Sequence, residues 1–288
     1  MPVGSLLKQY PVERARPASS IVMVAATSII PGKSPYIVRS TQTIPQIASV
    51  AGDWAAKNNV KRVISIVSDY GPGIDAEEWF SKRFEVAGGK VLDKIRAPLS
   101  SPDFAPFLQK VKDTAPDAVF VFVPTGAGAV FMRQFAERGL AVAGVKLLAM
   151  SDVMDDEILN QMGDPAVGAI SFGPYSASHD SPENKTFLAA FYEANGKEFR
   201  PNIVAVSAFD GMKLIYDALN ATKGAVDGDA LVNAMKGASL NSARGPISID
   251  SATRDIVQNI YVRKVERLNG ELWNTEFETM PGVRDPAK

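Results

Sequence analysis

Few residues in this sequence stand in a pattern that could do covalent chemistry. Gly71, Gly73 and Ala76 have the spacing G-x-G-x-x-A behind an apolar run, and Asp93 lies about 20 residues on. In that arrangement a pyrophosphate meets a helix N-terminus and an acid meets the ribose. Here Ser68, Asp69 and Tyr70 separate the apolar run from the glycines, and Pro72 removes a backbone donor the pyrophosphate would need. An NAD-dependent Rossmann enzyme therefore stands only as an alternative. His179 is the single histidine, set in the polar stretch SASHDSPEN, and a Ser-His-Asp hydrolase would have to use it without any G-x-S-x-G elbow. The absence of cysteine excludes thiolate metal sites, iron-sulfur clusters, disulfides and cysteine nucleophiles. These residues predict no catalysis, no cofactor and no metal. A chain without thiols also suits an oxidising compartment.

The 288 residues, 46% hydrophobic and 22% charged, have the composition of a folded protein of about two domains. Lys plus Arg total 31 against 32 acidic residues, so no positive field exists to draw in nucleic acid. Residues 1–20 carry Lys8, Glu13, Arg14 and Arg16 with Pro2, Pro11 and Pro17, and read as lacking an export signal. No apolar run approaches the ~20 residues of a membrane helix.

The elements that must position any site alternate through the middle of the chain. Strands are expected at 62–67, 89–95, 118–123, 145–149 and 169–172, and helices at 75–87, 104–113, 127–138 and, briefly, 155–162. The strand runs are solidly apolar, which predicts an α/β fold with a parallel, doubly wound sheet covered on both faces. After residue 172 the pattern changes to helices at 182–195, 203–221 and 229–236. Their apolar stripes include Phe187, Phe191, Val206, Met212 and Ile215, yet the only other strands expected are 21–26 and 36–39. A hairpin is expected at 260–267 and 271–273 around Asn269-Gly270, a pair suited to positive φ.

Five segments carry a family resemblance: VAATS at 24–28, SPYIVRS at 34–40, KRVISIVSDYGPG at 61–73, PDAVFVFVPTGAGAVFMRQFAERGL at 116–140 and GPISID at 245–250. In order and spacing, from residue 21 to the C-terminus, the chain resembles the extracellular ligand-binding receptor family. These are the type I periplasmic binding proteins of ABC transporters, typified by leucine/isoleucine/valine-binding protein. The resemblance implies a two-lobed clamshell, with residues 1–40 and 173–246 in the first lobe and 41–172 and 247–288 in the second. Closure is expected about crossovers near 39–41, 172–175 and 245–249. It further implies a solute-binding protein that works in the periplasm with a membrane permease and without a cofactor; a cytosolic sensor of the same fold is the alternative. The family places three strand-helix units before VAATS, so the first lobe is expected to be truncated at its N-terminus. Self-association is expected where helices stay uncovered.

A small molecule enclosed by two lobes must find hydrogen bonds from both, and loops at the carboxyl ends of parallel strands supply them. The resemblance places Ala25 and Thr27 where backbone and hydroxyl hold a ligand carboxylate, although Thr27 equally suits a turn or helix cap. It places Tyr70 as a pocket tyrosine, with packing under a loop as the alternative, and Thr125 beside Pro124, where amino-acid binders have tyrosine. Ser151 and Asp152 fall near the glutamate that meets an α-ammonium, and either can face inward; Asp152 equally suits an N-cap. Tyr175 and Phe209 pack either on the ligand or on core. The ligand expected is a small carboxylate-bearing metabolite: an amino acid, branched-chain type favoured, or an aromatic or other organic acid.

Overall fold

The computed structural model describes residues 19–24, 26–100 and 102–288; Ala25 and the expectations for residues 1–18 lie outside the described residues. Strands β1 (Ser20–Val22) and β2 (Ile37–Arg39) pair in parallel. The chain then enters helix α1 (Ile44–Lys57) through a capping box. Gln46 N donates to Thr43 Oγ1 at 3.3 Å and Thr43 N to Gln46 Oε1 at 3.0 Å, which satisfies two otherwise orphaned donors. The pattern reading contains no helix here, although Thr43-x-x-Gln46 followed by Ile47, Ala48, Ala51 and Trp54 carries its signature.

Strands and helices next alternate: β3 (Arg62–Ser68), α2 (Gly71–Val86), β4 (Lys90–Ala97), α3 (Ala105–Thr114), β5 (Ala118–Phe122), α4 (Thr125–Glu137), β6 (Lys146–Met150), α5 (Leu159–Met162) and β7 (Ile170–Gly173). These strands lie parallel in the order β4-β3-β5-β6-β7, as the apolar runs predict. Side chains alternate between faces, so one strand feeds two cores. Ile64, Ile66, Val119 and Val121 pack with Leu108, Phe131 and Phe135, while Val63, Val67, Phe120 and Phe122 pack with Ile47, Ala51, Phe80 and Phe84.

Two helices begin earlier than the periodicity suggests. Helix α2 starts at Gly71, because Pro72 in its first turn lacks only a donor that has no intrahelical partner there. A Cβ on Gly73 would stand 1.9 Å from Ser68 O, so this glycine is required by a close backbone approach. Helix α4 starts at Thr125, and a Cβ on Gly128 would stand 2.1 Å from Val153 O. That approach presses the helix onto a 3-10 turn, Ser151–Met154; of the helix expected at 155–162 only Leu159–Met162 forms, after a turn at 156–158.

The rest of the chain forms α6 (Pro182–Asn195), α7 (Ile203–Ala221), α8 (Gly228–Met235), β8 (Ser239–Ser242), β9 (Gly245–Ile249), β10 (Ile256–Leu268) and β11 (Glu271–Val283). Hairpin β8–β9 corrects the expectation that only 21–26 and 36–39 could cover these helices. It joins the first residues of β10 and extends the sheet to nine strands among the described residues, with β10 antiparallel to β7, β9 and β11. Leu240, Ile247 and Ile249 face Leu214, Ala218, Leu231 and Met235, while Phe187 and Val206 pack with Tyr175 and Ile203. Part of α7 still faces outward: Phe209, Met212 and Tyr216 are 49%, 41% and 59% exposed. Asn269 and Gly270 make the β10–β11 turn with φ of 52° and 87°, but both strands run far beyond the expected 260–273. The polar stretch after Trp273, with Glu276, Glu278 and Thr279 and then Pro281-Gly282, hid the second strand.

Between the two core regions lies the buried side chain of Arg244. Its Nε donates to Asp210 Oδ2 at 3.0 Å, Nη1 to Gln258 Oε1 at 3.1 Å, and Nη2 to Ser40 O at 2.5 Å. Removing one member of a buried pair leaves an uncompensated charge, so Asp210→Ala is expected to cost about 3–5 kcal/mol in urea unfolding. The double replacement Asp210→Leu/Arg244→Met should recover most of that loss. A loss below about 1 kcal/mol for Asp210→Ala would remove Arg244 from its central place in the fold.

Candidate functional site

The carboxyl ends of β3, β5, β6 and β7 open on one side of the parallel sheet, and the loops there carry most of the residues singled out from the sequence. Tyr70 caps the end of β3, its ring stacked on Phe122 with centroids 6.2 Å apart and planes 6° from parallel. Ser151 and Asp152 open the 3-10 turn after β6, Ser151 buried and Asp152 half-buried. Asp152 Oδ2 accepts from Gln42 Nε2 at 3.3 Å and from Ser151 Oγ at 3.4 Å. The N-cap alternative for Asp152 does not hold, since α5 and the turn before it have no side-chain cap.

Behind this turn stands Arg263 on β10, 2% exposed. Its Nε donates to Ser171 Oγ at 3.1 Å and Nη1 to Tyr175 O at 2.5 Å, while Nη2 has no hydrogen-bond partner among the described residues. It lines a small cavity with Ser151, Asp155, Asp156, Tyr175, Asn202 and Ile203. Asp156 is well satisfied, accepting from Ala177 N at 2.8 Å and Asn274 Nδ2 at 2.9 Å.

Burial sets the ionisation of this corner. It pushes the Asp152 carboxyl up, against the pull of its hydrogen bonds and of Arg263. It pushes the Tyr70 hydroxyl up to about 12, helped by the Asp152 charge. Asp155 is pushed up to about 7, first by burial and then by the neighbouring Asp156 carboxylate.

The remaining residues are spread more widely. Tyr175 is buried, its hydroxyl donating to Asn184 Oδ1 at 3.1 Å and its ring edge-on to Phe187, so the side chain belongs to core. Thr125 is the first residue of α4 and half-buried. Thr27 is half-buried, and its carbonyl accepts from Arg39 Nη2 at 2.8 Å. Phe209 lies half-exposed on α7, 5.2 Å from the Phe187 ring. No hydrogen bond or ring contact joins Thr27, Thr125 or Phe209 to Asp152 among the described residues. The larger surface clefts lie elsewhere, such as that lined by Trp54, Phe135, Lys146 and Ala169 at the opposite strand ends.

Sequence reasoning missed Gln42, Asp155, Asp156 and Arg263. Arg263 had a signal, a charge inside the apolar run IYVRKV, whereas Gln42 had none. His179 Nδ1 pairs with Glu276 Oε2 at 2.7 Å, and no serine hydroxyl reaches its ring among the described residues, so the hydrolase alternative has no geometry behind it. Nor does any group of three or more His, Asp or Glu residues stand ready to hold a metal ion among the described residues.

This α/β fold with its mixed, largely parallel sheet matches the two-lobed structures of solute-binding proteins. Residues 12–271 match the family model described as periplasmic binding protein, and the chain belongs to that family. It is 40% identical to Leu/Ile/Val-binding protein homolog 6 of Brucella melitensis, over the whole of this chain and 73% of that protein. It resembles a solved ABC-transporter solute-binding protein from Rhodopseudomonas palustris BisB5 in complex with 3,4-dihydroxybenzoic acid. That match has 53% identity and a TM-score of 0.89, over 93% of this chain and 74% of the other. A second solute-binding protein, from R. palustris HaA2 in complex with p-hydroxybenzoic acid, matches at 42% identity and a TM-score of 0.90, over 93% and 73%. The protein is a solute-binding protein of the ABC-transporter class, and the Rossmann-enzyme and sensor alternatives give way to that reading. No described helix is long and apolar enough to cross a membrane.

The ionisation of Asp155 makes stability depend on pH. Its folded pKa of about 7 lies above the ordinary value of 3.8, so the folded state keeps a proton that the unfolded state releases. The resulting stabilisation is fully present below the ordinary value and is lost as pH rises through about 7. Asp155→Asn should therefore flatten the fall in melting temperature between about pH 5 and pH 8. Equal slopes for the variant and the parent protein would show that Asp155 is ionised in the fold.

Proposed function

We propose that this protein binds an aromatic carboxylate of the benzoate type reversibly, between its two lobes, and delivers it unchanged to an ABC permease in the periplasm. The observation that carries the reading is the 53% identical relative in complex with 3,4-dihydroxybenzoic acid, which aligns over 93% of this chain. The stacked Tyr70–Phe122 pair beside the strand ends supports it, because a flat aromatic ligand packs well on such a surface. In this reading Thr27, with Ala25, receives the carboxylate from the first lobe. Tyr70, Thr125, Ser151 and Asp152 form the opposing wall, with Tyr175 behind them and Phe209 at the rim. The lobes are residues 1–40 with 173–246, and 41–172 with 247–288. Closure turns on the segments near 39–41, 172–175 and 245–249.

Asp152 favours a second reading, a branched-chain amino acid, since a half-buried carboxylate can pair with an α-ammonium. The name of the Brucella relative points the same way. Calorimetry of the purified chain against 4-hydroxybenzoate, 3,4-dihydroxybenzoate and leucine decides between them. The aromatic reading expects saturable binding of the benzoates with micromolar or tighter affinity, about −8 kcal/mol, and none of leucine. Leucine binding alone would establish the second reading, and recovery of a chemically altered benzoate would overturn passive binding.

A further inference from the structure

We infer that Asp152, with Gln42 and Tyr70, reads a ring hydroxyl on the ligand and turns the ligand's carboxylate toward the other lobe. The inference rests on the aromatic-acid reading above and goes further, to a hydroxylated member of that class. The three residues come from separate elements: Gln42 from the crossover into α1, Tyr70 from the end of β3, Asp152 from the turn after β6. Burial and the Asp152 charge both act on the Tyr70 hydroxyl, so the two groups are electrostatic neighbours.

Two acceptors in this corner lack a close donor, Asp152 and Gln42 Oε1. The bonds to Asp152 from Gln42 and Ser151, at 3.3 and 3.4 Å, are long beside the ~2.7–2.9 Å of a charge-assisted hydrogen bond, and both fall on Oδ2. Gln42 is 3% exposed, and its Oε1 has no partner among the described residues. The amide nitrogen must face Asp152, because an oxygen there would oppose a carboxylate, so Oε1 is the atom left over. Arg263 does not make up the difference: Nε and Nη1 are taken by Ser171 and the carbonyl of Tyr175, and Nη2, which has no hydrogen-bond partner among the described residues, reaches neither Asp152 nor Gln42 Oε1. A buried Gln42 Oε1 without a partner and a half-buried Asp152 carboxylate held only by long side-chain contacts favour a ligand group that donates.

On an aromatic acid the donor is a phenolic hydroxyl. The ligand's carboxylate is unsuited to this corner: it would add negative charge beside Asp152, with Asp155 and Asp156 close enough to Arg263 for all three to act on it. A second, adjacent hydroxyl would give Gln42 Oε1 a donor as well. An ammonium could also donate here, and leucine is therefore one arm of the test.

The experiment measures the affinity of the full chain for benzoate, 4-hydroxybenzoate, 3,4-dihydroxybenzoate and leucine by calorimetry, with Asp152→Leu, Asp152→Asn and Tyr70→Phe alongside. The hydroxylated acids should bind the parent protein about ten- to a hundred-fold more tightly than benzoate, the difference made by a hydrogen bond to a charged group. Asp152→Leu should bring that ratio close to one, and the near-isosteric Asp152→Asn and Tyr70→Phe should narrow it. Should Asp152→Leu fail to fold, the ratio in the parent protein and in Asp152→Asn decides. Equal affinity of the parent protein for benzoate and its hydroxylated relatives would overturn the inference and leave the aromatic-acid reading standing. So would an unchanged ratio in the Asp152 variants. If the folded parent protein binds leucine and no benzoate, the aromatic-acid reading itself fails.

Discussion

Everything else in this molecule depends on the need to satisfy a guanidinium that water cannot reach. Arg244 is 1% exposed, and each of its donors must find an acceptor inside the protein or the fold bears the desolvation cost. Its acceptors come from different parts of the chain: Asp210 and Ser207 on α7, Gln258 on β10, and the carbonyl of Ser40 in the crossover to α1. Ser242 also donates to Asp210 at 2.8 Å, and the Tyr261 hydroxyl donates to Arg244 O at 2.9 Å. One charge therefore fixes a helix, a hairpin, a long strand and a crossover relative to one another. An apolar core tolerates sliding better than a buried ion network does, because its contacts carry no direction.

A second buried arginine repeats the device at the next crossover. Arg263 binds the backbone of Tyr175, just beyond β7, and Ser171 within β7, while Asn274 on β11 ties Ser171, Met154 and Asp156 together. The chain between β7 and α6 is thus anchored at its start. Arg39 and Asp255, paired at 2.8 Å with almost no exposure, hold the remaining crossovers in the same manner. On the proposed reading these crossovers are hinges, which need fixed ends and a short free span, and the buried arginines with their hydrogen bonds and the Arg39–Asp255 ion pair would supply the fixed ends.

What the sequence revealed follows from whether a partner lies nearby in the chain. Strands β3 to β7 were legible because a strand buried on both faces reads as a solid apolar run, as in Val63 to Val67 and Ala118 to Phe122. Strands β8 and β9 were not, since their few inward residues, Leu240, Ile247 and Ile249, sit among serines, asparagine and proline. Helix α1 was overlooked although its capping box was present. Tyr70, Ser151 and Asp152 could be singled out from the family resemblance together with their positions after strands. Gln42 and Arg263 could not, because what makes them matter is contact with Asp152 and Tyr175, which pattern and periodicity do not report.

The charges at the strand ends explain why such a corner belongs at an opening and not in a core. Asp156 accepts two hydrogen bonds, and the Asp155 carboxyl is pushed up to about 7. Asp152 lies between them: burial pushes its carboxyl up, while a backbone hydrogen bond and long contacts from Ser151 and Gln42 pull the other way. While the site is open, water can complete its shell at little cost. On the proposed reading, closing the lobes would remove that water and make the unsatisfied acceptors expensive, unless what enters between them brings donors. On that reading, closure on an empty site would be resisted by the same groups that favour closure on a ligand able to donate, and selectivity for such a ligand would lie in the conformational change itself.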